Sequence, residues 1–114
     1  LAVELLRHQT SSSATRQALT EALLSDENPG VRIAAAAALS GLGADDSVRR
    51  ALQQALVEDD NAGVRVAAIE GLRNISHDDT RDVMERVSRF EPNPYIRAEA
   101  RHALDVGRAI PTHL

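Results

Sequence analysis

Apolar residues in this chain recur at steps of three and four, the spacing that lines one face of an α-helix. In residues 48–57, Val48, Ala51, Leu52, Ala55 and Leu56 share one stripe, which predicts a first helix. Asp45, Asp46 and Ser47 stand ahead of it, and their short side-chain oxygens suit the unpaired amides of a first turn. A second helix is expected after Asn61, with Val64, Ala68, Gly71, Leu72 and Ile75 facing inward and an end near Asn74. Two amphipathic helices joined by a short turn cannot bury their apolar stripes alone, so the pair calls for neighbours.

The neighbours are written into the chain. Asp26-Glu27-Asn28-Pro29-Gly30-Val31-Arg32 returns as Asp59-Asp60-Asn61-Ala62-Gly63-Val64-Arg65 and again as Glu91-Pro92-Asn93-Pro94-Tyr95-Ile96-Arg97. The asparagines are thirty-three and then thirty-two residues apart, a period that marks stacked supersecondary units. The fold class is therefore all-α, a solenoid of antiparallel helix pairs over 15–42, 47–75 and 80–106 in one domain. Leu6 matches Leu39 and Leu72, and Ala2 matches Ala35 and Ala68, so residues 1–8 are expected to be a truncated half repeat. Residues 9–13, Gly41 with Gly43, and His77 with Asp78 and Asp79 are expected as loops, and 107–114 as a tail.

Each part of the repeated phrase has a local reason. Asn28, Asn61 and Asn93 suit the N-cap of a second helix, and Pro29 and Pro94 suit its first position, where a missing amide costs nothing. Ala62 replaces proline in the middle copy. Tyr95 stands where the other copies have Gly30 and Gly63, so that site does not demand a positive φ, and the glycines are expected to permit close backbone approach.

Composition narrows the chemistry. Hydrophobic residues make up 43% and aromatics 2%, with Phe90 and Tyr95 alone, so the core must be aliphatic. All 13 basic residues are arginine, which removes lysine-based catalysis, and the chain has no cysteine, which removes thiolate chemistry and leaves cytoplasm and periplasm equally open. A formal charge of -4 gives no footprint for nucleic acid, and no apolar run is long enough to span a membrane. The chain opens at Leu1 without an initiator methionine and is expected to be part of a longer protein.

A helix, an Asp-x-Asn-Pro-x-Val-Arg turn and a second helix of the form Val-Arg-x-x-Ala-x-x-Ala-Leu resemble the HEAT-repeat family, nearest to its bacterial subgroup named after phycobilisome lyases. The resemblance implies a ladder of charge-assisted hydrogen bonds between adjacent repeats, from an acid that ends the first helix and an arginine six residues on. Here those residues are Asp26 with Arg32, Asp59 with Arg65, and Glu91 with Arg97. A planar guanidinium can join a carboxylate and backbone carbonyls at a crowded turn where lysine could not. Glu91, longer by a methylene and followed by Pro92, departs from the pattern and is expected to leave the last rung displaced or missing.

Candidate chemistry is sparse. His8, His77, His102 and His113 have no second histidine three or four residues away, Asp45-Asp46 and Asp78-Asp79 precede helices as caps, and Ser11 to Ser13 belong to a loop. No catalytic residue, metal site or cofactor follows from these. Opposite the inward stripe lie Ile33, Ala36, Ala37 and Ser40, then Val66, Ile69, Glu70 and Arg73, then Ala98, Arg101, His102 and Asp105. The face expected to meet a protein or peptide partner is Ile33, Ala37, Val66, Ile69, Glu70, Arg73, Arg101 and His102. Lateral packing of Ile33, Val66 and Ile69 between repeats is the competing reading.

The resemblance implies a noncatalytic scaffold module of a larger bacterial protein. Similar segments lie C-terminal to anti-sigma-type zinc-binding and membrane regions. The alternative is an accessory or regulatory domain of an enzyme, including lyase-type proteins. Nucleic-acid binding is disfavoured because Arg73 and Arg101 stand on the face without an aromatic, no membrane contact is expected, and exposed solenoid ends offer a homodimer contact.

Overall fold

A computed structural model describes the backbone of residues 12–109 and the side chains of residues 12–106. The expected half repeat over 1–8, and residues 110–114 of the expected tail, lie outside the described residues. The chain forms three helix pairs: α1 (Ser13–Ser25) with α2 (Pro29–Leu39), α3 (Asp46–Glu58) with α4 (Ala62–Leu72), and α5 (Asp78–Phe90) with α6 (Pro94–Ala109). First helices stack on first helices and second on second, so the pairs form one continuous layer of two helix rows. Several expected boundaries move: Asp78 and Asp79, expected in a loop, open α5, and α4 ends at Leu72, short of the end expected near Asn74. Ser12 caps α1 and Ser13 begins it, and residues 107–109 continue α6 where a tail was expected.

Local chemistry starts and stops these helices. The side chains of Asn28 and Asn61 accept the backbone amides of Gly30 and Val64, and Asn93 Oδ1 accepts those of Tyr95 and Ile96. Asp45 does the same for Ser47 and Val48 at the start of α3. After α2, Gly41 takes φ 87°, the left-handed conformation that ends a helix at low cost only in glycine. The remaining described glycines have no positive φ.

The core runs between the two rows and is aliphatic. Leu23, Leu39, Leu52, Leu56, Leu72, Val48, Val64 and Ile96 are fully buried, while Phe90 and Tyr95 are exposed. The expected stripes of α3 and α4 are buried, with Ile75 half-buried at the margin. Small residues set the spacing. A Cβ at Gly63 would stand 3.1 Å from Ile33 Cδ1, so α2 leans closely on α4 there. Tyr95 occupies the equivalent position on α6, and α4 and α6 meet less extensively.

Gly43 is the tightest point, since a Cβ there would lie 1.8 Å from Ile75 Cδ1 and 2.8 Å from its Cγ1. Gly43→Ala is expected to cost about 1–3 kcal/mol by overpacking. In urea unfolding, the same substitution in an Ile75→Ala background should cost clearly less. Equal costs in both backgrounds would show that the crowding is not the cause.

Candidate functional site

The turn between first and second helix brings each arginine of the repeated phrase across two repeats at once. Arg32 Nη1 donates to the backbone oxygens of Asp26 (2.8 Å) and Glu27 (3.3 Å) in its own repeat. Its Nε and Nη2 donate to the Asp59 carboxylate of the next repeat at 2.8 and 3.1 Å. Arg65 repeats the arrangement, with Nη1 on the Asp59 oxygen (2.9 Å) and Nε and Nη2 on Glu91 (2.7 and 3.2 Å). The hydrogen bond from Asp59 raises the Arg32 pKa against the opposing effect of burial, and the Asp59 charge adds to it.

The ion pairs are therefore offset by one repeat from the pairs expected within each phrase. Asp26 with Arg32, Asp59 with Arg65 and Glu91 with Arg97 do meet, but through the backbone carbonyl of the acid. The carboxylate serves elsewhere: it accepts the amide of the asparagine two residues on, at 2.9 Å for Asp26 and Asp59 and 2.7 Å for Glu91. The rung at Glu91 is not displaced. The added methylene reaches back to Arg65, and the Glu91 side chain is only 5% exposed. Arg97, in the third repeat, donates to the oxygens of Glu91 and Pro92 and has no carboxylate partner among the described residues.

A second set of rungs joins the first helices. Arg16 lies 3.2 Å from Asp45, and the buried Arg49 reaches Asp79 with Nε at 3.0 Å and Nη2 at 3.2 Å. Gln53 adds a hydrogen bond to Asp79 at 2.9 Å, and Asp46 sits 2.9 Å from Arg49. Asp79 is thus not a cap, as the sequence suggested; His77 takes the N-cap position of α5 and Asp79 serves the preceding repeat. The signal for these rungs was present, since Arg16, Arg49 and Arg81 follow the same two steps as the asparagines.

The expected partner face divides. Ile33, Ala37, Glu70, Arg73, Arg101 and His102 are exposed and Val66 is half-buried. Ile69 does not belong there, being 2% exposed in the core. Ile69, like Ala36 on α2, is buried with the core, which agrees with the competing reading of packing between repeats. Arg73 spans the face to Glu99 on α6 at 2.6 Å. Phe90, outside the expected face, is 76% exposed at a cleft of 330 Å³ shared with Leu56, Val57 and Val87.

Among the described residues no cluster of three or more His, Asp or Glu side chains is placed to hold a metal, and no helix is long and apolar enough to cross a membrane.

Stacked antiparallel helix pairs, locked by arginines that bridge successive turns, define an α-solenoid repeat protein. The model of the HEAT-repeat family matches residues 16–105, and the chain belongs to that family. No curated protein and no solved structure gives a significant match to it. HEAT repeats generally mediate protein–protein interaction.

Arg65→Ala strands the buried Glu91 carboxylate and is expected to cost about 2–4 kcal/mol in chemical denaturation. With Glu91→Ala already in place the further loss should be much smaller; simple additivity would show that the two side chains are not coupled.

The second set of rungs gives a pH dependence. Burial pushes the Asp79 carboxyl up, but hydrogen bonds from Arg49 and Gln53 and the Arg49 charge outweigh it, lowering the pKa from 3.8 to about 2. A pKa depressed on folding stabilises above the unfolded value and is lost as pH falls through the folded one. The stability gap between the parent and Asp79→Asn should hold from pH 7 to about 4 and close toward pH 2. Solvent at the 38% exposed carboxylate keeps the gap small, and a gap that is constant with pH would exclude this source.

Proposed function

We propose that this chain is a noncatalytic protein-interaction module of a larger bacterial protein, receiving a peptide or helix of its partner along the exposed row of second helices. The observation that carries this reading is the exposure of Ile33 and Ala37 on the side opposite the core, continuing through Val66 into Glu70, Arg73, Arg101 and His102. The array does not use these side chains to build its core, apart from the half-buried Val66. An apolar start and a charged end on one face give a partner both buried area and a direction in which to lie. The likeness of the repeated turn to lyase-like and anti-sigma-associated segments supports the larger bacterial context.

A photo-crosslinking residue at position 37 or 70 should capture one defined protein from lysate of the source organism, whereas the same residue at exposed Gln54 on α3 should not. Glu70→Arg, with its helical circular dichroism unchanged, should weaken the crosslink formed from position 37. Equal capture from position 54, or none from 37, would move the contact off this face.

A further inference from the structure

Along the edge where the turns lie, the two junctions between repeats differ in kind. Between the second and third repeats, the cleft of 330 Å³ has Leu56 and Val57 of α3 on one side, Val87 and Phe90 of α5 on the other, and Pro92 at its rim. The hollow in the same place between the first and second repeats, 360 Å³, carries Glu58 and Asp60 where this one carries Phe90 and Pro92. Arg86, also at the cleft, stands where the preceding repeat has Gln54. Two acids and an amide have been replaced by an aromatic ring, a proline and a cation.

These positions face water even where another repeat is stacked on them. Glu21, Ser25 and Glu27 are exposed with the second repeat in place over the first, and Gln54, Glu58 and Asp60 are exposed with the third in place over the second. A following repeat takes up a different flank, since Arg49 and Gln53 are the α3 residues that bond to Asp79. Their counterparts on α5 are Arg81 and Glu85, and neither lines the cleft. The cleft thus belongs to the second junction itself.

Its charges are all engaged except one. The carboxylates of Asp59 and Glu91 are held by Arg32 and Arg65. Arg86 joins no ion pair among the described residues, not even with Asp82 one turn earlier. It precedes Phe90 by one turn of α5, so cation and exposed ring stand side by side along an aliphatic floor. That pairing suits an apolar side chain and a carboxylate carried close together, and it repels a basic segment.

We propose that the cleft between the second and third repeats docks an acidic segment of a separate protein, with a large apolar side chain beside Phe90 and, two positions away, a carboxylate on Arg86. Side chains two apart in an extended segment point the same way at a spacing of about 7 Å, close to the roughly 6 Å between residues one helical turn apart. A volume of 330 Å³ is at the small end for a binding site and suits one anchoring side chain. The inference rests on the binding-module reading for the existence of a protein partner, and adds a second contact surface and the chemistry it selects.

The test pans a display library of random short peptides on the full chain and synthesises those enriched. They should share a large apolar residue with an Asp or Glu two positions from it. Added to the ¹⁵N-labelled chain, they should move the amide signals of Val57, Val87 and Phe90 and leave those of Arg81 and Glu85 in place. Phe90→Glu, which copies Glu58 of the preceding repeat, should weaken binding about tenfold. Arg86→Gln, which copies Gln54, should weaken it about two- to fivefold and remove its dependence on salt. Both variants place at an exposed site a residue the array already carries there, and circular dichroism confirms that they fold.

Enrichment of basic peptides, or of peptides without an acid, overturns the proposal, and so does unchanged binding by Phe90→Glu. Shifts at Arg81 and Glu85 would also overturn it, by assigning the contact to the flank that a following repeat takes up. Self-association of the chain alone that Phe90→Glu disperses would give the cleft to a second copy. Shifts confined to Ala37 and Glu70 would sink this inference and leave the second-helix face standing. Crosslinking from position 37 does not involve Phe90, so failure of either surface is visible without the other.

Discussion

An arginine that must satisfy two repeats at once is the constraint on which this array depends. One guanidinium nitrogen closes the turn of its own repeat by binding the carbonyl at the end of the first helix, and the opposite edge takes the carboxylate of the following repeat. That carboxylate in turn holds the amide of the asparagine that caps the next second helix. Helix ending, helix starting and repeat stacking thus share one set of atoms, and none can shift without the others. Lysine, with a single flexible point charge, could not serve both directions, which gives physical sense to an array whose described turns use arginine throughout.

The aliphatic core and the ladder divide the work. Leu39, Leu52, Leu56 and Leu72 supply non-directional burial, which holds the rows together but tolerates sliding. The two sets of rungs, Arg32 and Arg65 on the turns and Arg49 near the start of the first helices, fix register on either side of that core. A buried ion pair of this kind contributes little net free energy over an apolar substitute, so its main effect is on geometry.

The sequence made the helices, their caps and the repeat legible because these depend on residues within one turn of each other: Asn61 and its amides, Val48 through Leu56, Gly41 at a helix end. What lay between repeats was harder to read. The offset of the ion pairs depends on how one turn sits over the next, and no spacing within a single phrase reveals it. Angles around one helix leave Ile69 open to two readings, a partner face or packing between repeats, and its burial agrees with the second. Asp79 stands where a cap is expected, but its role is set by Arg49, thirty residues away.

Gly63 and Tyr95 occupy one position in successive repeats; at the first, α2 leans closely on α4, and at the second, α4 and α6 meet less extensively. The rungs on the turns hold both junctions with ion pairs of similar length, although both helix rows meet less extensively at the second junction than at the first. Contact between neighbouring repeats thus varies from one junction to the next while the ladder on the turns keeps its reach. Ladder and helix spacing are separable in this array, the one alike at both junctions and the other set junction by junction.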